Sequence, residues 1–117
     1  MKDLDTVFQA LAKSPFRRRF HLRPQEADYL RDKGLGTVMD HARDFVERRL
    51  APAAPPNDGR QTPWRGHPVF VAQHATACCC RGCLEKWHGI PRGTPLSPQE
   101  LDHVLEALRR WLLAASA

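Results

Sequence analysis

The sequence predicts a small, mainly α-helical domain of the α+β class, with about five helices and one or two short strands near a Cys/His site. Its 117 residues are typical of a single domain, since domains usually run to roughly 100–200 residues. Apolar residues recur at helical spacing in the first half and near the C-terminus, and one short segment is rich in β-branched residues. We expect one domain over 1–117, made of a helical part (1–50), a Pro-rich loop (51–66), and a strand, Cys/His site and C-terminal helices (67–117).

Three helices are predicted in the N-terminal half. The first follows Asp3 or Asp5, either of which could cap it, and ends at Ser14-Pro15. The second occupies 24–34, where a proline stands at the start and a glycine at the end. The third occupies 36–50, where apolar residues repeat every three or four positions.

The second half combines a loop, a strand and two helices. Segment 51–66 contains four prolines and is predicted to be irregular, with Trp64 holding it in place by burying its ring. The β-branched and aromatic segment 67–73 predicts a short strand that leads into the cysteines. A short helix is predicted over 84–88. A longer one starts at Ser97-Pro98-Gln99-Glu100, which offers a cap, a proline at the first position and a glutamate in the first turn.

The charge balance and the N-terminus narrow the class of protein. Eighteen Lys and Arg residues against 13 Asp and Glu residues give a net charge of +5, which favours polyanionic partners. Asp3 and Asp5 stand where a secretory signal would be basic, and no apolar run approaches the roughly 18–20 residues of a membrane span. We therefore expect a soluble, cytoplasmic protein with no membrane association.

All four cysteines fall within the six positions 78–83, and this cluster is the most unusual feature of the composition. In a reducing cytoplasm, cysteines packed so closely are not expected to form a disulfide framework. Cys80 and Cys83 form a Cys-x-x-Cys pair whose spacing lets two thiolates converge on one metal ion, with Gly82 relieving the turn. Metal binding, thiol chemistry and simple burial as small apolar residues are the remaining interpretations.

Two ligand sets are compatible with a metal site. In the first, Cys80, Cys83 and His88 match the opening of a retroviral-type zinc knuckle. The fourth knuckle position holds a glycine, so His74 would complete this set. In the second, the chain is already helical from Cys79, and Cys79, Cys80 and Cys83 share a face. His74 is again the fourth ligand. Both sets suit zinc, whereas an iron–sulfur cluster fits less well because the longer Cys-x-x-Cys-x-x-Cys run is missing.

An enzyme is the alternative use of the same residues, with Cys80, Cys83 and His88 as candidate catalytic groups. A thiol at a helix N-terminus beside Arg81 would have its thiolate stabilised, and His74 or His88 could act as its base. Cys80 and Cys83 could form the reversible disulfide of a thiol oxidoreductase. A metal-dependent hydrolase would instead require His88 to leave a coordination position open to water.

Clustered basic residues make nucleic acid the favoured partner class, and the favoured role is that of a zinc-containing nucleic-acid-binding module. The candidate phosphate-binding residues are Arg17, Arg18, Arg19, Arg65, Lys86 and Arg92. A solvated basic surface is the alternative interpretation of the same residues. No sequence feature identifies a protein partner.

Several segments together carry a family resemblance. These are HPVFVAQHAT at 67–76, CCRGC at 79–83 and KWHGIP at 86–91, with further likeness at 17–20 and 40–42. On these segments the chain resembles a small bacterial family catalogued as a domain of unknown function. The resemblance implies bacterial origin and a stand-alone domain, and it brings no established activity, ligand or partner.

Overall fold

The computed structural model describes residues 1–116 and is helical, with no strand among those residues. Its seven α-helices, more than predicted, are α1 (Leu4–Ala12), α2 (Pro15–Arg18), α3 (Pro24–Lys33), α4 (Leu35–Arg49), α5 (Pro68–Ala75), α6 (Arg81–Cys83) and α7 (Pro98–Ala115). A π-helical turn (Leu84–His88) continues directly from α6. Within the described range, none of the helices combines the length and the apolar character needed to cross a membrane.

The N-terminal helices are confirmed, because local chemistry sets their ends. The Asp3 carboxylate accepts a hydrogen bond from the Thr6 N–H at 3.0 Å and so caps α1. Ser14 caps a further short helix, α2, so Pro15 starts a helix as well as ending the previous one. Gly34 separates α3 from α4 with a φ of +86°, in the region that favours glycine.

The predicted strand at 67–73 is wrong: this segment forms α5, and the fold is all-α rather than α+β. His67 caps α5, since its Nδ1 accepts a hydrogen bond from the Val69 N–H at 3.0 Å. Pro68 occupies the first helical position, which its fixed φ favours. Nearly every side chain of α5 is buried. A short run that is apolar on all sides shows no periodicity, and such a run does not distinguish a buried helix from a buried strand.

The hydrophobic core lies where α4, α5 and α7 pack together. Val46, Val69 and Leu108, one from each of these helices, are completely buried. Helix α7 begins as predicted, because the Ser97 hydroxyl accepts from the Glu100 N–H at 3.1 Å and the Glu100 carboxylate accepts from the Ser97 N–H at 2.8 Å. The C-terminal end of α5 and the cysteines that follow it lie beside α1 and α2.

The start of loop 51–66 is held in place by a buried arginine. The Arg81 side chain is 1% exposed and donates hydrogen bonds to backbone carbonyls on two segments that are distant in sequence. The acceptors are Leu50, Ala51 and Pro52 on one side and Pro91 and Thr94 on the other. Arg81 therefore fastens the start of the loop to the segment that follows the π-helical turn.

Trp64 does not bury its ring, and that prediction is wrong, since 60% of the residue is exposed. The indole stacks instead on the ring of His74, with centroids 4.0 Å apart and planes 12° from parallel. The end of the loop is also attached through Thr62, whose hydroxyl donates to the Cys79 carbonyl at 2.8 Å. The loop is ordered by polar contacts and by contacts of the Trp64 ring with other aromatic rings, a combination that the proline count does not reveal.

Candidate metal centre

Three of the four cysteines meet at one place. The sulfur atoms of Cys79, Cys80 and Cys83 all lie within 4.8 Å of one another. Cys79 is buried, while Cys80 and Cys83 are partly exposed, so the cluster opens to solvent on one side. This spacing is compatible with a single metal ion bound to all three thiolates.

The backbone around α6 explains how the sulfurs converge. Cys80 is the N-cap of α6, with extended backbone, and its sulfur accepts a hydrogen bond from the Cys83 N–H at 3.4 Å. Cys79 is also outside the helix. The three cysteines are thus brought together by a helix start, and not by the continuous helical face that the sequence suggested. Ala77 has a φ of +59°, which turns the chain sharply between α5 and the cysteines.

A buried arginine from α2 lies against the sulfurs. Arg17 is 8% exposed, and its guanidinium donates to Cys83 Sγ at 3.3 Å, to Cys79 Sγ at 3.8 Å and to the His74 carbonyl at 2.7 Å. Among the described residues, Arg17 forms no ion pair with a carboxylate. A buried guanidinium requires compensation of its charge, and here the cysteine sulfurs are the groups that can supply a negative charge.

Hydrogen bonds among the cysteines and the contact with Arg17 shift the pKa values of the thiols. Hydrogen bonds from the Cys79 and Cys80 thiols, followed by the contact with Arg17, hold the pKa of Cys83 well below its usual range. The pKa of Cys79 is raised, because its thiol donates to Cys80 and Cys83 and because it is buried. These hydrogen bonds and the Arg17 guanidinium thus favour a thiolate at Cys83 and a protonated thiol at Cys79.

His74 lies next to the cluster with one free ring nitrogen. The ring is buried and stacks against both Trp64 and Phe20, with centroids 4.0 and 5.7 Å away, and its Nε2 lies 3.1 Å from the Thr62 carbonyl. A carbonyl only accepts, so Nε2 carries the proton and Nδ1 presents a lone pair. Among the described residues, that buried Nδ1 has no hydrogen-bond partner. An unpaired buried lone pair is what a metal-ligating histidine offers before the ion binds. Within residues 1–116, the group of ligand atoms within 4.8 Å of one another contains only the three cysteines, so the His74 ring would have to shift towards the sulfurs to bind the same ion.

His88 and Cys78 form a separate buried group. The His88 Nε2 donates to the Thr76 carbonyl at 2.7 Å, and its Nδ1 accepts from the His103 Nε2 at 2.9 Å. Cys78 Sγ lies 3.5 Å from the His88 Nε2, and burial raises the pKa of Cys78 to about 12. The structure therefore does not bring His88 to the three-cysteine cluster, and Cys78 is a protonated core residue.

The His88–His103 pair makes stability depend on pH. Burial, the proximity of His88 and the N-terminal amine lower the pKa of His103 to about 4, from an ordinary value of 6.5. The unfolded chain therefore binds this proton more readily, so the free energy of unfolding should fall as the pH drops from 6.5 towards 4. Urea unfolding at pH 7 and pH 5 should show a smaller difference for His103→Gln than for the wild type, since glutamine donates to His88 without titrating. Equal differences for the two proteins would contradict this assignment.

The predicted phosphate-binding residues are dispersed. Arg17 is in the cysteine cluster, whereas Arg19 and Arg65 line a surface concavity beside Trp64. Lys86 lies over the Trp87 ring, and Arg18 lines a different depression near Trp111. Arg92 pairs with Glu85 at 3.5 Å and passes so close to Gly82 that a Cβ there would be 2.7 Å from its Nη2.

Two residues of the centre have no sequence signal for this role. Arg17 belongs to a run of three arginines that indicates a basic surface, and nothing in the run distinguishes the residue that is buried. Thr62, which links the loop to both His74 and Cys79, is one polar residue among several in a Pro-rich segment. Their roles depend on contacts between segments that are distant in sequence.

A comparison with known protein families finds a match over most of the chain. The family described as Domain of unknown function (DUF4186) matches residues 5–113, which include the cysteine cluster, Arg17 and His74. The chain belongs to the DUF4186 family. No solved structure matches the DUF4186 chain described here.

Proposed function

We propose that this DUF4186 protein binds one zinc ion through Cys79, Cys80, Cys83 and His74. The observation that carries the proposal is the convergence of the three sulfurs within 4.8 Å of one another. The free, buried Nδ1 of His74 supports its assignment as the fourth ligand. Three thiolates and one imidazole form a tetrahedral donor set that zinc prefers. A reducing bacterial cytoplasm, which we propose as its location, would keep these thiols available.

The charge of the pocket supports this ligand set. Three thiolates around one Zn²⁺ leave a single negative charge, which is costly in a partly buried site unless a cation lies beside it. Arg17 supplies that cation, with its guanidinium 3.3 Å from Cys83 Sγ. With the metal bound, both the ion and the buried arginine would have their charges compensated.

A structural role suits the site better than a catalytic one. The ligands join the end of α5, the start of α6 and, through Thr62 and Arg17, the loop and α2. A zinc ion at this place would fasten these four segments to one another. With four protein ligands, no coordination position remains for a substrate. The position of His88 gives no support to a hydrolase built on that residue.

Elemental analysis tests the proposal directly. Protein expressed with zinc and purified without chelators should contain one zinc per chain, and a cobalt-substituted sample should show thiolate-to-cobalt charge-transfer absorption. His74→Ala should weaken zinc binding while the thiolate absorption remains. Metal-free protein with four thiols accessible to a thiol reagent after denaturation, and no zinc uptake on titration, would overturn the proposal.

Arg17 should tune the metal affinity without binding the metal. Groups that contact metal ligands typically change metal affinity by 10- to 100-fold when replaced. We expect Arg17→Met to weaken zinc binding by roughly this factor in a competition titration with a chelator, and Arg17→Lys to lose less because the charge remains. Arg18→Met is the matched control, since that side chain does not contact the sulfurs. An unchanged affinity in Arg17→Met would contradict the role given to the guanidinium.

Thiol–disulfide exchange is the second candidate function, and the partial exposure of Cys80 and Cys83 favours it. One thiolate would attack a disulfide in a partner molecule and the other would then release it, so that the partner leaves with two thiols and Cys80–Cys83 becomes a disulfide. Reduction of a disulfide substrate by metal-free protein, abolished in Cys80→Ser and Cys83→Ser variants that remain folded, is the result expected of this candidate.

Nucleic-acid binding is a further proposed role, and the clustering of Arg19 and Arg65 at one concavity favours it. The net charge of +5 would add attraction for phosphates at long range. Binding to a labelled oligonucleotide that weakens as salt is raised is the expected result. Binding that is absent at low salt would count against the role.

A further inference from the structure

An exposed aromatic surface adjoins the metal centre. We call it the Trp64 face and define it as the rings of Phe16, Phe20 and Trp64. Trp64 is 60% exposed and Phe16 is 40% exposed, an unusual exposure for rings of this size. Phe20 is nearly parallel to Trp64, at 7° and 6.1 Å between centroids, while Phe16 meets both rings edge-on. The face thus consists of three aromatic rings in mutual contact, and not of a single exposed side chain.

The buried His74 ring supports the Trp64 face and fixes its orientation. One side of the indole stacks on the buried His74 ring at 4.0 Å, and His74 is fixed in turn by its hydrogen bond to Thr62. Phe20 also stacks on His74, at 5.7 Å. Because the indole is supported and still largely exposed, it offers a flat π surface at little cost in conformational entropy.

Positive charge surrounds this surface. The adjoining concavity is lined by Arg19, Arg23 and Arg65 together with Trp64. The Arg19 guanidinium lies 4.9 Å from the Phe16 ring centroid, so a planar cation flanks the rings. Glu26 is the one carboxylate in the lining. It is buried, accepts from the Arg23 and Gly66 N–H groups at 2.9 and 2.8 Å, and forms no ion pair with an arginine side chain among the described residues.

We propose that the Trp64 face binds single-stranded nucleic acid, with an unpaired base stacked on Trp64 and phosphates on Arg19, Arg23 and Arg65. The inference rests on the proposed nucleic-acid role and gives it a site and a ligand class. Aromatic rings interleaved with arginines are the pattern by which proteins hold unpaired bases and the adjoining backbone. In a duplex the bases are already stacked on each other, and a flat ring surface gains nothing from them.

The same charges decide against an apolar peptide as the occupant. Three arginine side chains around three rings would be desolvated by an apolar partner without compensation. A polyanion with flat apolar groups satisfies both the cations and the rings. Uracil and thymine oligonucleotides share that chemistry, so the test measures the affinity for each of them.

The test is fluorescence anisotropy of zinc-containing protein with labelled dT12, U12 and a 12-base-pair duplex. We expect the single strands to bind more tightly than the duplex, with a salt dependence of slope about −2 in a log–log plot for three phosphates. Trp64→Ala should weaken single-strand binding by roughly 10- to 100-fold, and Trp64→Phe by less. Leu113→Ala removes a half-exposed apolar side chain from α7 and should change nothing. The zinc content of each variant is measured in parallel, because Trp64 contacts His74.

The outcomes distinguish failure of the single-strand inference from failure of the general nucleic-acid role. If duplex and single strand bind equally and Trp64→Ala behaves like Leu113→Ala, the single-strand inference is overturned and the general nucleic-acid role survives. If no oligonucleotide binds at low salt, both the single-strand inference and the general nucleic-acid role are wrong. If an apolar peptide binds at Trp64 and the oligonucleotides do not, the face is a protein-docking surface and the inference is wrong. A Trp64→Ala protein that keeps its zinc and loses only single-strand binding supports the inference.

Discussion

Replacing Cys80 or Cys83 by serine is expected to release the metal ion and to destabilise the fold by several kcal/mol. Binding of structural zinc contributes about 10–16 kcal/mol in small zinc-dependent peptides, which is comparable with the whole stability of a domain of ordinary size. A serine hydroxyl is a poor zinc ligand, and each change also removes a sulfur that lies within 4.8 Å of the other two. The zinc content by elemental analysis and the urea midpoint of unfolding are the two measurements.

The fourth cysteine provides the matched control for that experiment. Cys78 is adjacent in sequence and completely buried, yet its sulfur contacts the Thr76 carbonyl and His88 rather than the cluster. Cys78→Ala should lower stability by about 1 kcal/mol through the small cavity it leaves, and it should retain one zinc per chain. Zinc loss in Cys78→Ala equal to that in Cys80→Ser would contradict the ligand assignment. So would full zinc occupancy in both Cys80→Ser and Cys83→Ser.

Arg81→Met is expected to cost more than about 3 kcal/mol of unfolding free energy, although the substitution is apolar and similar in length. The guanidinium satisfies carbonyls on two segments of chain, at distances from 2.8 to 3.4 Å, and a thioether satisfies none of them. Each buried carbonyl left without a donor costs about 1–3 kcal/mol, less where water can reach it.

The comparison for Arg81 is an arginine on the surface. Arg109 on α7 is half exposed and makes one long ion pair with Glu106, at 3.9 Å, so Arg109→Met should change the unfolding free energy by no more than about 0.5 kcal/mol. Urea unfolding at saturating zinc separates this effect from metal loss. Similar midpoints for the two variants would show that Arg81 does not hold the loop.

The sequence predicts those helices that are set by contacts between neighbouring residues, and it misses those that depend on contacts between distant parts of the chain. Helix α7 is predictable because Ser97 and Glu100 are three residues apart and satisfy each other locally. Helix α5 is not, because its eight residues are almost all buried by helices from elsewhere in the chain, and burial removes the polar face that would reveal its period.

The sequence likewise predicts the local contacts of the candidate metal centre and misses its long-range ones. The Cys-x-x-Cys spacing predicts the pairing of Cys80 with Cys83, since both lie within one turn of chain. His88 lies five positions beyond Cys83 along helical chain, which turns that histidine away from the cluster. The contact between Arg17 and Cys83 joins residues 66 positions apart, and no local pattern encodes it.

The tie between Thr62 and the cysteine cluster makes the loop a reporter of metal occupancy. Thr62 accepts from His74 through its carbonyl and donates to the Cys79 carbonyl, so two of the hydrogen bonds that anchor the loop's second half go to residues of the proposed zinc site. Removing the ion should free this part of the loop, whose Arg60 and Arg65 are exposed cleavage points for trypsin. We expect chelator-treated protein to be cut there markedly faster than zinc-saturated protein, as followed by mass spectrometry. Equal cleavage rates would show that the loop is anchored independently of the metal. If the metal-free protein is cut faster, loss of zinc exposes the Pro-rich segment to proteases and so makes the whole chain easier to degrade.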